Sequence, residues 1–334
     1  MTPPSPSSVL WSHFGERVLL TVCGENAIRV TVRRRGAFTD KNSALLHTLS
    51  SSLPEPTSEG ISLENGSIRA VIQRSGHLHF EDTATGETFF AEPTPLRSPI
   101  KAHPPRYMES TGSASRKVRL EFQAQEEQIW GMGQQRHGFA DHKGTSIDLL
   151  TRNGEYAIPF YVSSAGYGFL LNHPGTGTVT FANNRTLWEL EECEQIDYWV
   201  VRGENPKQIL SAYVKATGLP PVPPERMFGY WQCKLRYKTQ EEVLTVARSF
   251  REKNIPLELL IIDFFHWPEF GDYKLDPRDF PDPQAMVDEL NAMGVELAVS
   301  VWPTVSTFSE TVNEVEQKDL MIHNRHGLHL MRSF

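Results

Sequence analysis

At 334 residues and a formal charge of −8, the chain is long enough for two domains or one large one and carries no global basic field to hold nucleic acid or an anionic lipid surface. Its three cysteines, Cys23, Cys193 and Cys233, are odd in number and widely spaced, so they form neither a disulfide framework nor a zinc pattern and point to a reducing compartment. No stretch approaches the roughly 20 consecutive apolar residues of a membrane span, and the start Met1-Thr2-Pro3-Pro4-Ser5-Pro6 has no cationic region ahead of an apolar one, so a cytoplasmic location without membrane or nucleic-acid partners is expected.

From Val18 to about Tyr198 the chain reads as short β-branched or aromatic runs, among them Val18 to Val22, Ile28 to Val32 and Ile68 to Ile72. Between them lie turn clusters such as Glu64-Asn65-Gly66, Ser75-Gly76 and Thr85-Gly86, which supply the positive φ of tight hairpins. Many short strands with few helical stretches indicate a β-sandwich. The Arg33-Arg34-Arg35 run reads as a solvated strand end, and the Ser-, Thr- and Pro-rich stretch from Thr39 to Glu59 as a mobile surface loop.

The closely spaced prolines of Gly218-Leu-Pro-Pro-Val-Pro-Pro224 can neither continue a helix nor donate to a sheet ladder, and they mark a domain boundary. After them the period changes. Met227 to Gln232 reads as a strand, and Thr239-Gln-Glu-Glu242 as a capping box opening a helix with Val243, Val246, Ala247 and Phe250 on one face. A second apolar strand, Leu257 to Ile262, is followed by Asp282 as N-cap before Pro283, a helix ended by Gly294, and a third strand from Val295 to Val301. Apolar strands alternating with amphipathic helices require a parallel sheet, either doubly wound or closed into a barrel. No Gly-x-Gly-x-x-Gly follows the first strand, which weakens the doubly wound alternative and favours the barrel.

In a barrel the residues just beyond each strand carry function. The expected strand ends are Trp231-Gln232-Cys233-Lys234, Asp263-Phe264-Phe265-His266-Trp267 and Trp302 before Pro303. Aromatic rings with one carboxylate suit a sugar, whose C–H faces stack on rings and whose hydroxyls donate to carboxylate oxygens. Trp231 and Trp302 also fit a barrel core or rim, whereas Asp263, ending a Leu/Ile run, is costly to bury without partners and so has a functional or capping role. Asp263 and His266 are too few for a metal site, and His323, His326 and His329 flank Gly327 in what reads as a solvated turn. No nucleophile elbow, P-loop or Cys-His signature appears.

Phe228-Gly-Tyr-Trp-Gln232, Leu260-Ile-Ile-Asp263, Leu275-Asp-Pro-Arg-Asp-Phe-Pro-Asp-Pro283 and Val301-Trp-Pro303 resemble, in order, the opening of the glycoside hydrolase family 31 barrel. Upstream, Trp11-Ser-His-Phe-Gly15, Gly131-Met-Gly-Gln134 and Ile158-Pro-Phe-Tyr-Val-Ser163 resemble the N-terminal sandwich of the same family, and the Phe264-Phe-His-Trp267 loop and the Trp231-Gln-Cys-Lys234 strand end look closest to members acting on α-xylosides or α-glucosides. The resemblance implies a galactose-mutarotase-like β-sandwich over residues 1–222 and, over 223–334, an incomplete (β/α)8 TIM barrel of about three βα units. It implies that Asp263 binds hydroxyls in the cleaved subsite, that Trp231 and Trp302 shape that pocket, and that Phe265, His266 and Trp267 border it. Glu155 and Tyr156, in the loop Asn153 to Tyr156, either contribute to the same subsite or form an ordinary hairpin turn.

The expected partner is an α-linked oligosaccharide or α-glycoside, with no cofactor and no metal. Retaining hydrolysis needs two carboxylates roughly 5 Å apart, and in the family both stand further along the barrel than any residue matched here. A complete barrel takes about 250 residues where only about 110 follow Pro224. The expectation is therefore a truncated α-glycosidase, inactive alone and self-associating through its unclosed barrel. A non-catalytic carbohydrate-binding protein is the alternative, and a metal-dependent hydrolase using Asp263 and His266 a third.

Overall fold

The computed structural model describes residues 7–93, 104–110 and 116–323. The first six residues, and with them the proline-rich start, lie outside that set, as do His326, Gly327 and His329. The chain divides into two compact units, Met1–Pro220 and Pro221–Phe334.

The first unit is built from strands. Eight of them form one sheet in the order Ile129–Gln134, Tyr156–Ser163, Tyr167–Leu171, Ile196–Arg202, Ala27–Arg33, Glu16–Val22, Ser8–His13 and Pro56–Thr57. A five-stranded sheet runs Ser146–Asp148, Gly177–Phe181, Arg185–Cys193, Arg116–Gln123, Arg106–Ser110, and a four-stranded meander covers Ile61–Asn65 to Thr88–Ala91. All three sheets send side chains into one core that includes Val18, Val30, Phe80, Phe90, Phe122, Phe169, Trp188 and Tyr198. The rings interlock, with centroids 4.4 Å apart for Phe90 and Phe122 and 5.3 Å for Phe169 and Trp188. The turns follow the sequence signals: Gly66, Gly76 and Gly86 have φ of 62°, 84° and 72°. At Gly76 the glycine is doubly required, since a Cβ there would also lie 2.7 Å from the Trp11 ring.

The outer face of the eight-stranded sheet is covered too. The helix Pro206–Thr217, capped by Asn205 through Gln208 N (3.1 Å), packs there with Cys23, Leu45, Phe160, Leu170, Trp199 and Ile209. This explains why Ala27–Arg33 is buried along nearly its whole length instead of alternating. The stretch from Thr39 to Glu59 corrects the expectation of a mobile loop. Pro56–Thr57 pairs in parallel with Leu10 and Trp11, Leu45 is buried, and the Asp40 carboxylate takes the Arg29 guanidinium at 2.7 Å. A buried guanidinium demands an acceptor, and composition alone does not reveal that demand.

In the second unit Met227 and Phe228 lie in the 3-10 turn Glu225–Phe228, not in a strand. Pro223 and Pro224 set up that turn, closed by Met227 N to Pro224 O at 2.9 Å, and the strand begins only at Trp231. Three parallel strands, Trp231–Lys234, Leu259–Ile262 and Glu296–Val299, stand side by side in that order. The helices Gln240–Glu252 and Pro283–Ala292 connect them, and their Val243, Leu244, Ala247, Met286 and Leu290 bury Leu260 and Ile262. Asp282 caps the later helix through Ala285 N at 3.0 Å, as its place before Pro283 predicts, and Gly294 follows with φ 70°. Thr239 caps the earlier helix through Glu242 N at 3.3 Å, while the Glu242 carboxylate accepts Lys238 N at 2.7 Å, one residue outside the expected box. Thr239→Ala is expected to cost the second unit about 1 kcal/mol, measured as a lowered urea midpoint with unchanged slope.

No helix among the described residues is long and apolar enough to cross a membrane.

Candidate functional site

The register of the three parallel strands decides what gathers around Asp263. Lys234, Ile262 and Val299 stand level at the carboxyl ends, whereas Trp231, Leu259 and Glu296 stand level at the start. Leu260 and Ile262 face the helices, so Leu259, Ile261 and Asp263 share the opposite face, with Trp231 and Cys233 beside the first two. Trp231 is therefore on the same face as Asp263 but four residues of rise below it, roughly 13 Å at 3.3 Å per residue. The expectation that Trp231 stands at a strand end is corrected: the proline-induced turn delays the strand, and Trp231 opens it instead of closing it. Cys233 is level with Ile261, two residues of rise below Asp263, and partial burial together with the Asp263 charge raises its thiol pKa.

Directly after Asp263 the backbone does something unusual. Phe264 and Phe265 both adopt left-handed conformations, with φ of 50° and 54°. For bulky residues this costs about 1–2 kcal/mol each, and it persists because neighbouring groups hold the turn. The Phe265 carbonyl accepts Arg236 Nη1 at 3.0 Å, with the guanidinium 5.6 Å from the Phe265 ring, and the His266 carbonyl accepts Asp276 N at 2.7 Å. Asp263 itself is half-buried, and its Oδ1 accepts the Ser300 hydroxyl at 2.6 Å.

The turn builds an aromatic wall. Phe264 is 4.0 Å from Phe265, 4.8 Å from Trp302 and 6.1 Å from Trp267 between ring centroids, and Phe270 lies 5.5 Å from Trp267 and 5.8 Å from Trp302. Phe265 is 46% exposed, enough for its ring to meet a ligand, whereas Trp267 is 8% exposed and acts as backing. The two loops that carry the wall are latched together. The Asp272 carboxylate accepts Ser309 Oγ and Glu310 N, both at 2.9 Å, and Ser306 N donates to Phe270 O at 2.8 Å.

His266 is buried beside Trp267, and its Nδ1 and the Trp267 Nε1 have no hydrogen-bond partner among the described residues. Burial lowers the His266 pKa below its ordinary 6.5, and the Asp263 charge opposes this less strongly. The imidazole is thus neutral at pH 7. Because the folded-state value is the depressed one, the stability His266 contributes is present above about 6.5 and is lost as the pH falls through the folded value. The unfolding midpoint is accordingly expected to drop between pH 7 and 5 more steeply for the wild type than for His266→Gln.

Of the residues singled out from sequence, Asp263, Phe265, His266, Trp267 and Trp302 are brought together, and Trp231 is not. Glu155 and Tyr156 belong to the first unit, where Arg152 and Glu155 exchange backbone hydrogen bonds at 3.1 and 3.0 Å around Asn153-Gly154, a tight hairpin in form. Sequence reasoning missed Ser300, Phe270 and Arg236. Ser300 could have been found by aligning the second and third strands, which places it beside Asp263. Among the described residues no group of three or more His, Cys, Asp or Glu is arranged to hold a metal ion.

Residues 220–333 match the family model described as the glycosyl hydrolases family 31 TIM-barrel domain. The protein described as an uncharacterized family 31 glucosidase, ORF2, from Pseudescherichia vulneris is 36% identical over 346 residues, covering 98% of this chain and 65% of that protein. An α-xylosidase from Saccharolobus solfataricus is 37% identical over 61% of this chain and 30% of its own length. Among solved structures, a family 31 α-xylosidase from a soil metagenome, complexed with xylose, superposes with a TM-score of 0.92 at 34% identity, over 99% of this chain and 51% of that one. The chain thus spans less than two-thirds of the relatives it matches.

Proposed function

Because this chain is a glycoside hydrolase family 31 protein, we propose that it belongs to an α-glycosidase acting on the O-glycosyl bonds of α-xylosides or α-glucosides, and that Asp263 and the wall around it form the subsite gripping the sugar to be cleaved. The observation that carries this is the pairing of one strand-end carboxylate, braced at Oδ1 by Ser300, with the Phe264, Phe265 and Trp302 rings. Such a site offers a charge-assisted acceptor for hydroxyls and flat apolar surface for C–H faces. The relatives, an α-xylosidase and a family 31 glucosidase, agree with it, as does the xylose bound in the metagenomic structure.

Three of the neighbouring carboxylates are already committed: Asp272 to Ser309 and Glu310 N, Glu310 to Lys274 at 2.6 Å, and Asp276 to Arg278 at 2.6 Å. A retaining reaction needs a second, free carboxylate roughly 5 Å across the bond, so these 334 residues alone are proposed to bind sugar without hydrolysing it. Titration calorimetry with xylose and glucose, run beside p-nitrophenyl α-xyloside and α-glucoside assays, tests both parts. Saturable millimolar binding without p-nitrophenol release is expected. Release that disappears in Asp263→Ala would place a complete catalytic pair within this chain, and absence of sugar binding would end the glycoside reading.

The strands Trp231–Lys234 and Glu296–Val299 each have one side unpaired among the described residues, and Trp231, Leu235, Val299 and Val301 are exposed there. Open edges flanked by apolar side chains support self-association of the isolated chain, with sedimentation faster than a monomer as the expected result.

A further inference from the structure

We propose that Ser300 is a positioning residue for Asp263, fixing which carboxylate oxygen is presented to the sugar; this rests on the subsite reading above. Ser300 stands at the end of the third strand, where its N–H continues the ladder to Ile262 O at 3.0 Å and so places its side chain level with Asp263. Its hydroxyl has one proton and two acceptor lone pairs. One lone pair receives Phe264 N–H at 3.4 Å, and the proton goes to Asp263 Oδ1 at 2.6 Å. The hydroxyl is therefore polarised in one direction, and a single side chain serves both the carboxylate and the first residue of the left-handed turn.

Two consequences follow from this geometry. Oδ1 already accepts one hydrogen bond, whereas Oδ2 accepts none among the described residues and so keeps both lone pairs for sugar hydroxyls. The carboxylate is also tethered to the element that carries Trp302, while Phe264 packs 4.8 Å from the Trp302 ring, so acceptor and aromatic wall are held in one frame. Without the hydroxyl, the Asp263 side chain regains rotamer freedom and Phe264 N–H loses its acceptor, so binding must re-order what Ser300 now holds. The loss falls on affinity because it acts at the group that touches the sugar.

The test is xylose affinity by calorimetry on the full chain for the wild type, Ser300→Ala, Ser300→Thr and Asp263→Ala, with thermal unfolding of each. Ser300→Ala is expected to weaken xylose binding roughly tenfold, the scale of a hydrogen bond to a charged group, while its unfolding midpoint stays within a few degrees of wild type. Ser300→Thr keeps the donor and restores wild-type affinity, which a purely space-filling role of Ser300 does not predict. Should the alanine variant fail to fold, Ser300→Cys, similar in volume but a weak donor, carries the same expectation of weakened binding. Unchanged affinity in a folded Ser300→Ala or Ser300→Cys, with Asp263→Ala inactive in binding, overturns the positioning role and leaves the subsite standing. A wild type that binds neither xylose nor glucose overturns the subsite and the positioning role together.

Discussion

On the proposed subsite, Asp263→Ala is expected to remove measurable sugar binding, a loss of about a hundredfold or more. Hydrogen bonds to a charged group are each worth roughly 1.5–3 kcal/mol, and two hydroxyls meeting one carboxylate account for that factor. The same change costs little stability. Asp263 is only half-buried and, among the described residues, its side chain hydrogen-bonds to Ser300 alone, so the fold loses one accessible contact. Calorimetry beside thermal unfolding separates the two: an unchanged unfolding midpoint with lost binding is expected, and retained binding would remove Asp263 from the site. Asp263→Asn should fall between wild type and alanine, since it keeps one acceptor oxygen but surrenders the charge.

Asp197→Ala has the largest expected effect on stability, about 3–5 kcal/mol. Arg29 is fully buried in the eight-stranded sheet and donates from Nε and Nη2 to the two Asp197 oxygens at 2.9 and 2.6 Å, while Asp40 takes Nη1. Removing Asp197 strands most of a guanidinium away from water. Replacing both partners by apolar residues, Arg29→Met with Asp197→Leu, is expected to recover most of the loss, because the penalty comes from the unpaired charge and not from the absence of the bridge. Urea titrations of the three proteins decide it. A single variant no less stable than the double one would show that Asp40 alone satisfies Arg29. The carboxylates of Asp40 and Asp197 reach Arg29 from opposite ends of the first unit in sequence, so their loss also frees the segment after Thr39.

Much of the local structure was legible before any coordinates. Ile68–Ile72 is a strand as its β-branched run predicts, Asn65-Gly66 closes its hairpin, and Asp282-Pro283 opens a helix. These are decided within a few residues, by side-chain period, by the φ that glycine tolerates and by the hydrogen bond a cap supplies. The aromatic and acidic residues after Leu259–Ile262 were legible for the same reason: an apolar strand that ends in Asp263-Phe264-Phe265-His266-Trp267 announces a change of environment.

Sequence alone therefore determined the elements and the loop that carries Asp263. Only the tertiary structure decided which residues that loop meets. The proline-set turn decided that Trp231 opens its strand, while the parallel register of the three strands raised Ser300 to the level of the carboxylate. The segment after Thr39, which meets Arg29 through Asp40 and the His47 carbonyl, likewise turned it from a residue of an alternating strand into a buried cation that needs Asp40 and Asp197. In both cases the deciding term is a long-range one. A strand's own residues fix its period, but its register and the fate of its second face depend on partners distant in the chain, and no local propensity encodes them.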